Sequence, residues 1–490
     1  MRLIAWALSI GALLCAYAIQ IGLGLNPDVS WLLTVGERML EGQQLYIDIR
    51  ELNPPMSALL YLPAVWLGQI FSIAPEHLVV LGVLALAVAA SLFCLRALKT
   101  VGLDQKIAGW WPIGLIALVL LPGPHFAERE HIALLFLLPL LGNQVMRAAA
   151  RSPGVFQIVL GGLGGGMAMA IKPHFALAIL LPALVSAYQA RSLRPIFNAE
   201  HVLAGTIVIA YWLGVWAWFP AFFTDMLPLA AEAYVSDRGT LLQLVVQPPS
   251  LLVLFISLAT FALYRREMLT SPYAQWLAAA AGFYLAYLIQ GKGFTYHLLP
   301  ALILATLVLT LRFYSGIKPG ITHRAIGLAT ATALCVAPAI GSMGDYRASA
   351  TLHELLEPMP SGMTIANLTT HLDVASPLHR RLDAKLSNSG PCLWVALGAV
   401  RRKLSPQASP AIVAEAEALE AIEREQLRID LQRNQPDLIL AGIDGINWLD
   451  WAREDPAIDA LLEGYELKST VEGARPLAIW QRKSLLANAV

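Results

Sequence analysis

The chain has 490 residues, 57% of them hydrophobic and only 14% charged, with a mean hydropathy of +0.60 and a net charge of zero. That balance excludes an ordinary soluble globular protein and gives no basic surplus for a nucleic-acid partner; it fits a polytopic membrane protein. The charges are also sorted, because 20 of the 34 acidic residues lie after residue 344, where the long apolar runs stop. A membrane body, 1–344, is therefore expected ahead of a water-soluble tail, 345–490. Cys15, Cys94 and Cys335 sit in apolar runs and Cys392 stands by itself in the tail, so no disulfide framework or zinc-type cluster can be read.

A membrane-crossing helix needs about 20 mostly apolar residues. In chain order, such runs are expected near 3–25, 76–98, 107–123, 131–147, 155–171, 174–190, 202–222, 249–264, 273–290, 296–312 and 324–343. The first has no small-residue cleavage pattern and is read as an anchor, not a removed signal peptide. A twelfth run, 56–71, decides the topology. If it crossed, the basic residues at 96, 99, 106, 147, 151, 191, 194, 265 and 266 would all lie outside, against the positive-inside rule. If it lies along the outer interface, 13 of the 19 basic residues before 345 fall in the cytoplasm. About eleven spans are therefore expected, with the N-terminus inside and the tail outside. The loops 26–75, 122–131, 222–248 and 290–297 then share the outer face.

The tail reads as α/β. Residues 363–368 and 437–443 have the apolar clustering of short strands, and 410–433 carries helix formers with charges at helical spacing. It contains no phosphate loop, nucleophile elbow or metal motif. A lid, an acceptor-docking surface or an assembly role is expected of it.

Four places in the body carry chemistry. Asp28 follows Asn26-Pro27, which stops the first span. A carboxylate shielded at that position can accept a proton from a hydroxyl, or it can cap the helix that follows; the two roles are compatible. The loop from Pro122 to His131 holds Glu128, Arg129, Glu130 and His131 in a body poor in charge. Glu128, Glu130 and His131 can hold a divalent metal, or Arg129 can grip a phosphate while a glutamate orients a substrate. A solvated loop that caps the next helix is the plainer reading. Lys172-Pro173-His174 sits at the turn of an apolar hairpin behind Gly161-Gly162-Leu163-Gly164-Gly165-Gly166. An ionisable residue there implies a polar cavity or an anionic partner, or a side chain reaching to the interface. The glycines read as close helix packing, since no Gly-Lys-Ser/Thr follows them. The last place is Gln290-Gly-Lys292-Gly-Phe-Thr-Tyr296-His297, where glycines on both sides of Lys292 let backbone and ammonium approach a ligand. The loop 225–247, with Glu232, Tyr234, Asp237 and Arg238, can close over a site.

Taken together, Asp28, the phrase Gly42-Gln-Gln-Leu-Tyr46-Ile-Asp48 leading to Asn53-Pro54-Pro55, the acidic second loop, the Lys172 hairpin and the Gly-Lys-Gly turn resemble the C-type glycosyltransferase (GT-C) superfamily. The branch most resembled holds the protein O-mannosyltransferases and lipid A aminoarabinose transferases. The resemblance covers residues 1 to about 343. It implies an inverting transfer of a sugar from a polyprenyl-phosphate donor to an envelope glycan, lipid or protein at the periplasmic face of a bacterial inner membrane. It also implies Asp28 as general base, Glu128 or Glu130 as the second acidic residue, and Lys172 and Lys292 near the donor phosphate. Arg129, His131, His174, Tyr296, His297, Arg50 and Glu51 are expected to line the substrate site. Many relatives carry an aspartate where this chain reads Glu-Arg-Glu-His, so a divalent metal is an open expectation. The rivals are a polymerase or ligase of lipid-linked oligosaccharides, a transporter or flippase, and a scaffold. No internal repeat of the transporter kind is visible.

Overall fold

Apolar runs rich in leucine and alanine fold as helices because every backbone donor is then satisfied within its own segment, the condition a lipid solvent imposes. The computed structural model describes residues 2–102, 104–235, 238–264, 271, 273–315, 352–357, 359–406, 408–473 and 475–484. The expected span 324–343, Cys335, Asp237, Arg265 and Arg266 lie outside them. Compact packing divides the chain into two units. The first comprises residues 1–23, 67–217 and 238–342; the second comprises 24–66, 218–237 and 343–490. The stretches 24–66 and 218–237, read from sequence as loops of the membrane body, thus fold with the tail.

In the first unit, helices Arg2–Leu23, Pro75–Thr100, Asp104–Val119, Arg129–Ala148, Val155–Ile171, Ala176–Ala190, Ala199–Trp218, Pro248–Tyr264, Ala274–Gln290 and Leu299–Ser315 lie where apolar runs are expected. Among the described residues, five helical stretches are long and apolar enough to cross a membrane: Leu3–Leu23, Pro75–Thr100, Arg129–Ala148, Pro173–Ala190 and Ala199–Trp218. Other apolar helices are shorter. The ambiguous run 56–71 is broken into Met56–Leu59 and Leu62–Phe71.

The glycine-rich run lies inside the helix Val155–Ile171 and serves packing. A Cβ on Gly164 would collide with the carbonyl oxygen of Phe136, and one on Gly161 would stand 2.6 Å from Asn143 Nδ2. Asn143 Nδ2 in turn donates to Gln157 O at 2.7 Å, tying this helix to Arg129–Ala148. Small residues bring the two backbones close, as in membrane helix pairs generally.

The second unit is built on a five-stranded mixed sheet of β1 (Thr364–Leu368), β2 (Lys385–Leu386), β3 (Leu438–Gly442), β4 (Tyr465–Val471) and β5 (Leu477–Arg482), in the order β2-β1-β3-β5-β4. β1 is parallel to β2 and β3, with Ile365 opposite Leu438, whereas β5 is antiparallel to β3 and β4. Ala366 and Leu368 alternate onto one face, as do Ile439 and Ala441. They meet Leu393 and Ala396, Leu427 and Leu431 of the helix Pro410–Asn434, and Trp448 and Trp451 in one apolar core. Within the loop expected at 222–248, the segment 222–235 forms short α- and π-helical turns. It packs so closely that a Cβ on Gly398 would strike Ala233 O.

This geometry predicts that Gly164→Ala costs about 1–3 kcal/mol, because the neighbour is backbone and cannot rotate away. Gly205→Ala, where nothing lies within 4 Å of the added carbon, should cost nothing. Thermal unfolding of the two purified variants measures the contrast, and equal midpoints would contradict the packing.

Candidate functional site

A carboxylate without exposed surface must be matched by a cation, and Glu130 fixes the centre of the first unit's polar cluster in this way. The helix that carries it begins at Arg129, with Glu128 as its N-terminal flanking residue. Glu130 and His131 are therefore not residues of a solvated loop. Both belong to a buried first turn with no exposed surface. Glu130 Oε1 accepts from Lys172 Nζ at 2.5 Å. The same ammonium donates to Gln290 Oε1 at 3.0 Å and lies 3.2 Å from His297 Nε2. Nε2 then accepts, which places the ring proton on Nδ1 of His297. The ring of Tyr296 stands against His297, with centroids 4.3 Å apart, and Lys172 Nζ is 5.7 Å from the Tyr296 centroid.

Each member arrives from a different element. Lys172 is the residue that ends Val155–Ile171, and Pro173–Phe175 continues as a single 3₁₀ turn. Gln290 is the last residue of Ala274–Gln290, which Gly291 terminates in the left-handed conformation at φ 70°. Gly293 is also left-handed at φ 72°, and a Cβ there would stand 2.6 Å from Gln247 Nε2. Both glycines around Lys292 are thus needed for backbone reasons. The segment 238–247 lies along this turn: Arg238 Nη2 donates to Ile289 O and Gly239 N to Gly291 O. His297 sits in the turn Thr295–Leu298 that opens the next helix.

Two buried atoms in this cluster have no partner, Glu130 Oε2 and His297 Nδ1. One is an acceptor and the other a donor, the two halves of a binding position for a hydroxyl-bearing group. His174 Nε2 is a third such atom.

Beside it, His125 Nδ1 pairs with Glu128 Oε1 at 2.9 Å and His125 Nε2 with Thr295 Oγ1 at 2.9 Å. Sequence reading gave His125 and Thr295 no role. A histidine three residues before Glu128 is the one signal that could have raised it. His131 does something else. Its Nδ1 accepts from Ala127 N at 3.1 Å and its Nε2 donates to Leu118 O at 2.8 Å, so both ring nitrogens serve the backbone. Ala127 is held left-handed at φ 62°, which costs about 1–2 kcal/mol for a residue with a Cβ, and the His131 bond secures it. Consequently Glu128, Glu130 and His131 are not placed to share a metal ion: both His131 nitrogens serve the backbone, Glu128 Oε1 meets His125 and Glu130 Oε1 meets Lys172. Among the described residues no group of three His, Cys, Asp or Glu is placed to hold a metal.

In the second unit, Asn26, not Asp28, caps the helix Pro27–Leu40: its side chain accepts from Asp28 N, and Pro27 occupies the first turn. The Asp28 side chain is left in the first turn, half-buried, where a negative charge suits the helix dipole. Arg50 and Glu51, expected in the substrate site, hold this segment together. Glu51 accepts from Trp31 Nε1 at 2.5 Å and from Asn53 N at 2.9 Å, while Arg50 lies 3.4 Å from Glu423 and its N–H donates to Ser389 O. Glu37 binds Arg380 through both oxygens, at 2.7 and 2.9 Å, and Arg38 donates to the carbonyls of Asn388 and Leu386. Burial depresses the Arg38 guanidinium and raises the carboxyls of Glu423 and Asp430 above the usual range. Burial also pushes the Cys392 thiol up, which leaves it unreactive.

At the level of sequence alone, no protein-family model and no curated protein matches this chain. The fold does have solved counterparts. The chain is similar to ArnT from Cupriavidus metallidurans bound to undecaprenyl phosphate, at 12% identity and TM-score 0.54, covering 98% of each chain. The apo state of the same protein matches at 13% identity and TM-score 0.54, covering 99% of each. This chain therefore shares the fold of that protein over nearly its whole length, and with five described helices long and apolar enough to cross a membrane it is a polytopic membrane protein.

Removing Lys172 alone should be severe, because Glu130 would keep a buried charge without its cation. Lys172→Met is expected to cost about 3–5 kcal/mol, and Glu130→Gln in the same chain to restore most of it. Thermal unfolding of the single and double variants reads the coupling; additive losses would contradict the pair.

Proposed function

We propose that this protein is a membrane glycosyltransferase that moves a sugar from a polyprenyl-phosphate donor to a hydroxyl of an envelope glycan, lipid or protein, with inversion at the anomeric carbon. The observation that carries the reading is the fold likeness over nearly the whole chain to a protein solved with undecaprenyl phosphate. The buried cluster supports it, since an open acceptor on Glu130 and an open donor on His297 suit sugar hydroxyls.

In this reading the Asp28 carboxylate takes the proton from the acceptor hydroxyl as its oxygen attacks the anomeric carbon. The bond from that carbon to the phosphate oxygen breaks, and its electron pair leaves with the polyprenyl phosphate. Lys292, Arg129 and Lys172 supply positive charge for that leaving group as it develops. Lys172 is partly neutralised by Glu130, so its role divides between ordering the cluster and making the local potential more positive. His125 and Glu128 position the loop at the start of the same helix. No step requires a metal. The site faces the periplasm of a bacterial inner membrane, with the N-terminus cytoplasmic and the C-terminal α/β domain outside. About eleven spans make up the body.

Asp28→Asn, reconstituted in membranes with polyprenyl-phosphate sugars, tests the reading through release of free polyprenyl phosphate. Turnover should fall by about 10²–10⁴-fold, the usual worth of a general base, while donor binding persists. Turnover equal to wild type would remove Asp28 from catalysis.

A further inference from the structure

Glu130 and Arg147 lie 17 positions apart on the helix Arg129–Ala148. At 1.5 Å per residue they are about 25 Å apart along its axis, close to the thickness of a bilayer core. The Arg147 end therefore belongs to the membrane face opposite the Glu130 cluster. It is built with equal care. Arg147 Nε and Nη2 donate to the two oxygens of Glu200 at 2.7 and 2.9 Å, and Glu200 has no exposed surface. The next residue, His201, reaches from its ring Nδ1 to the carbonyls of Pro195 and Ile196 at 3.0 and 3.2 Å, and its Nε2 meets Gln144 at 3.0 Å. The 3₁₀ turn Arg194–Phe197 is thereby held in place between two apolar helices.

This turn forms one wall of an open groove of about 760 Å³ lined by Arg147, Ser192, Leu193, Arg194, Phe197 and Asn198. Glu200 is neutralised by Arg147, so the Arg194 guanidinium sets the charge of the groove. Among the described residues it makes no hydrogen bond or ion pair. Leu193 and Phe197 are 68% and 71% exposed on either side of it. A cation with a hydroxyl and an amide beside it, flanked by large exposed apolar side chains at the end of apolar helices, has the chemistry of a lipid headgroup site. We propose that this groove binds an anionic phospholipid. Arg194 takes the phosphodiester, Ser192 and Asn198 the glycerol and headgroup hydroxyls, and Leu193 and Phe197 the first carbons of the acyl chains. The site is separate from the one proposed for sugar transfer and does not depend on that reading.

The test uses the full chain in detergent, titrated with phosphatidylglycerol, phosphatidylcholine or glycerol 3-phosphate, with binding read by native mass spectrometry and by thermal shift. Phosphatidylglycerol should bind and raise the unfolding midpoint of wild type, and the other two should not. Arg194→Glu should weaken the apparent affinity at least about tenfold, the loss expected for one charge-assisted bond, without moving the lipid-free midpoint. Arg151→Glu makes the same charge change at an exposed residue outside the groove and should leave binding intact. Arg194→Gln gives the same reading if the glutamate variant folds poorly. Equal losses in the two arginine positions would show a general surface charge and overturn the site. Full binding by Arg194→Glu or Arg194→Gln, or an equal shift with glycerol 3-phosphate, would overturn it as well.

Discussion

A carboxylate inside an apolar helix body stands only if a cation reaches it, and that single requirement organises the first unit. Glu130 has no exposed surface, and its partner Lys172 lies 42 positions away at the end of another helix. To hold the ammonium there, Gln290 and His297 must come from a third and a fourth element. The Gly-Lys-Gly turn, the left-handed Ala127 and the inward-turned His131 follow as the means by which these elements converge. The Val155–Ile171 helix can deliver Lys172 only because its glycines let it lie against the helix that carries Glu130. Buried ionisable groups are costly, and the Glu130 carboxylate and the His297 imidazole give this cluster the acceptor and donor chemistry of a polar binding site.

The second unit solves a different problem. The segment that carries Asp28 is short and would be mobile as a free loop, and here it is stitched to the C-terminal domain. Glu37 with Arg380, Thr34 with His379, Arg38 with two carbonyls and Arg50 with Glu423 make it part of that domain's structure. A proposed base is thereby held on a fixed helix instead of a flexible tether, the condition for placing a reacting group within tenths of an ångström. The tail supplies the partners of Thr34, Glu37 and Arg38, on the helix that carries Asp28.

Much of this was legible in the sequence. The apolar runs mark where the helices lie, the alternation at 363–368 and 437–443 marks two strands of the sheet, and the glycine run was readable as packing because no phosphate-binding lysine motif follows it. What escaped reading was pairing over distance. Glu130 and His131 looked like loop residues because local charge signals exposure, and their partners, Lys172 and the carbonyl of Leu118, are visible only in three dimensions. The protein partners of Arg50 and Glu51, Glu423 and Trp31, are likewise visible only in three dimensions. The cap was misassigned by two residues because Asn26 and Asp28 are both good cap types on either side of Pro27, and the proline fixes the helix start.

The proposed sugar transfer requires Asp28 and Lys292 to open to the same side of the membrane, and the proposed lipid groove requires Arg194 on the other. Single-cysteine variants at residues 28, 292, 151 and 194, made in a cysteine-free chain and labelled in intact spheroplasts with a membrane-impermeant maleimide, measure this directly. Residues 28 and 292 should label from outside, and 151 and 194 only after permeabilisation. Labelling that puts 28 and 292 on opposite faces would contradict a shared site, and with it the proposed sugar transfer.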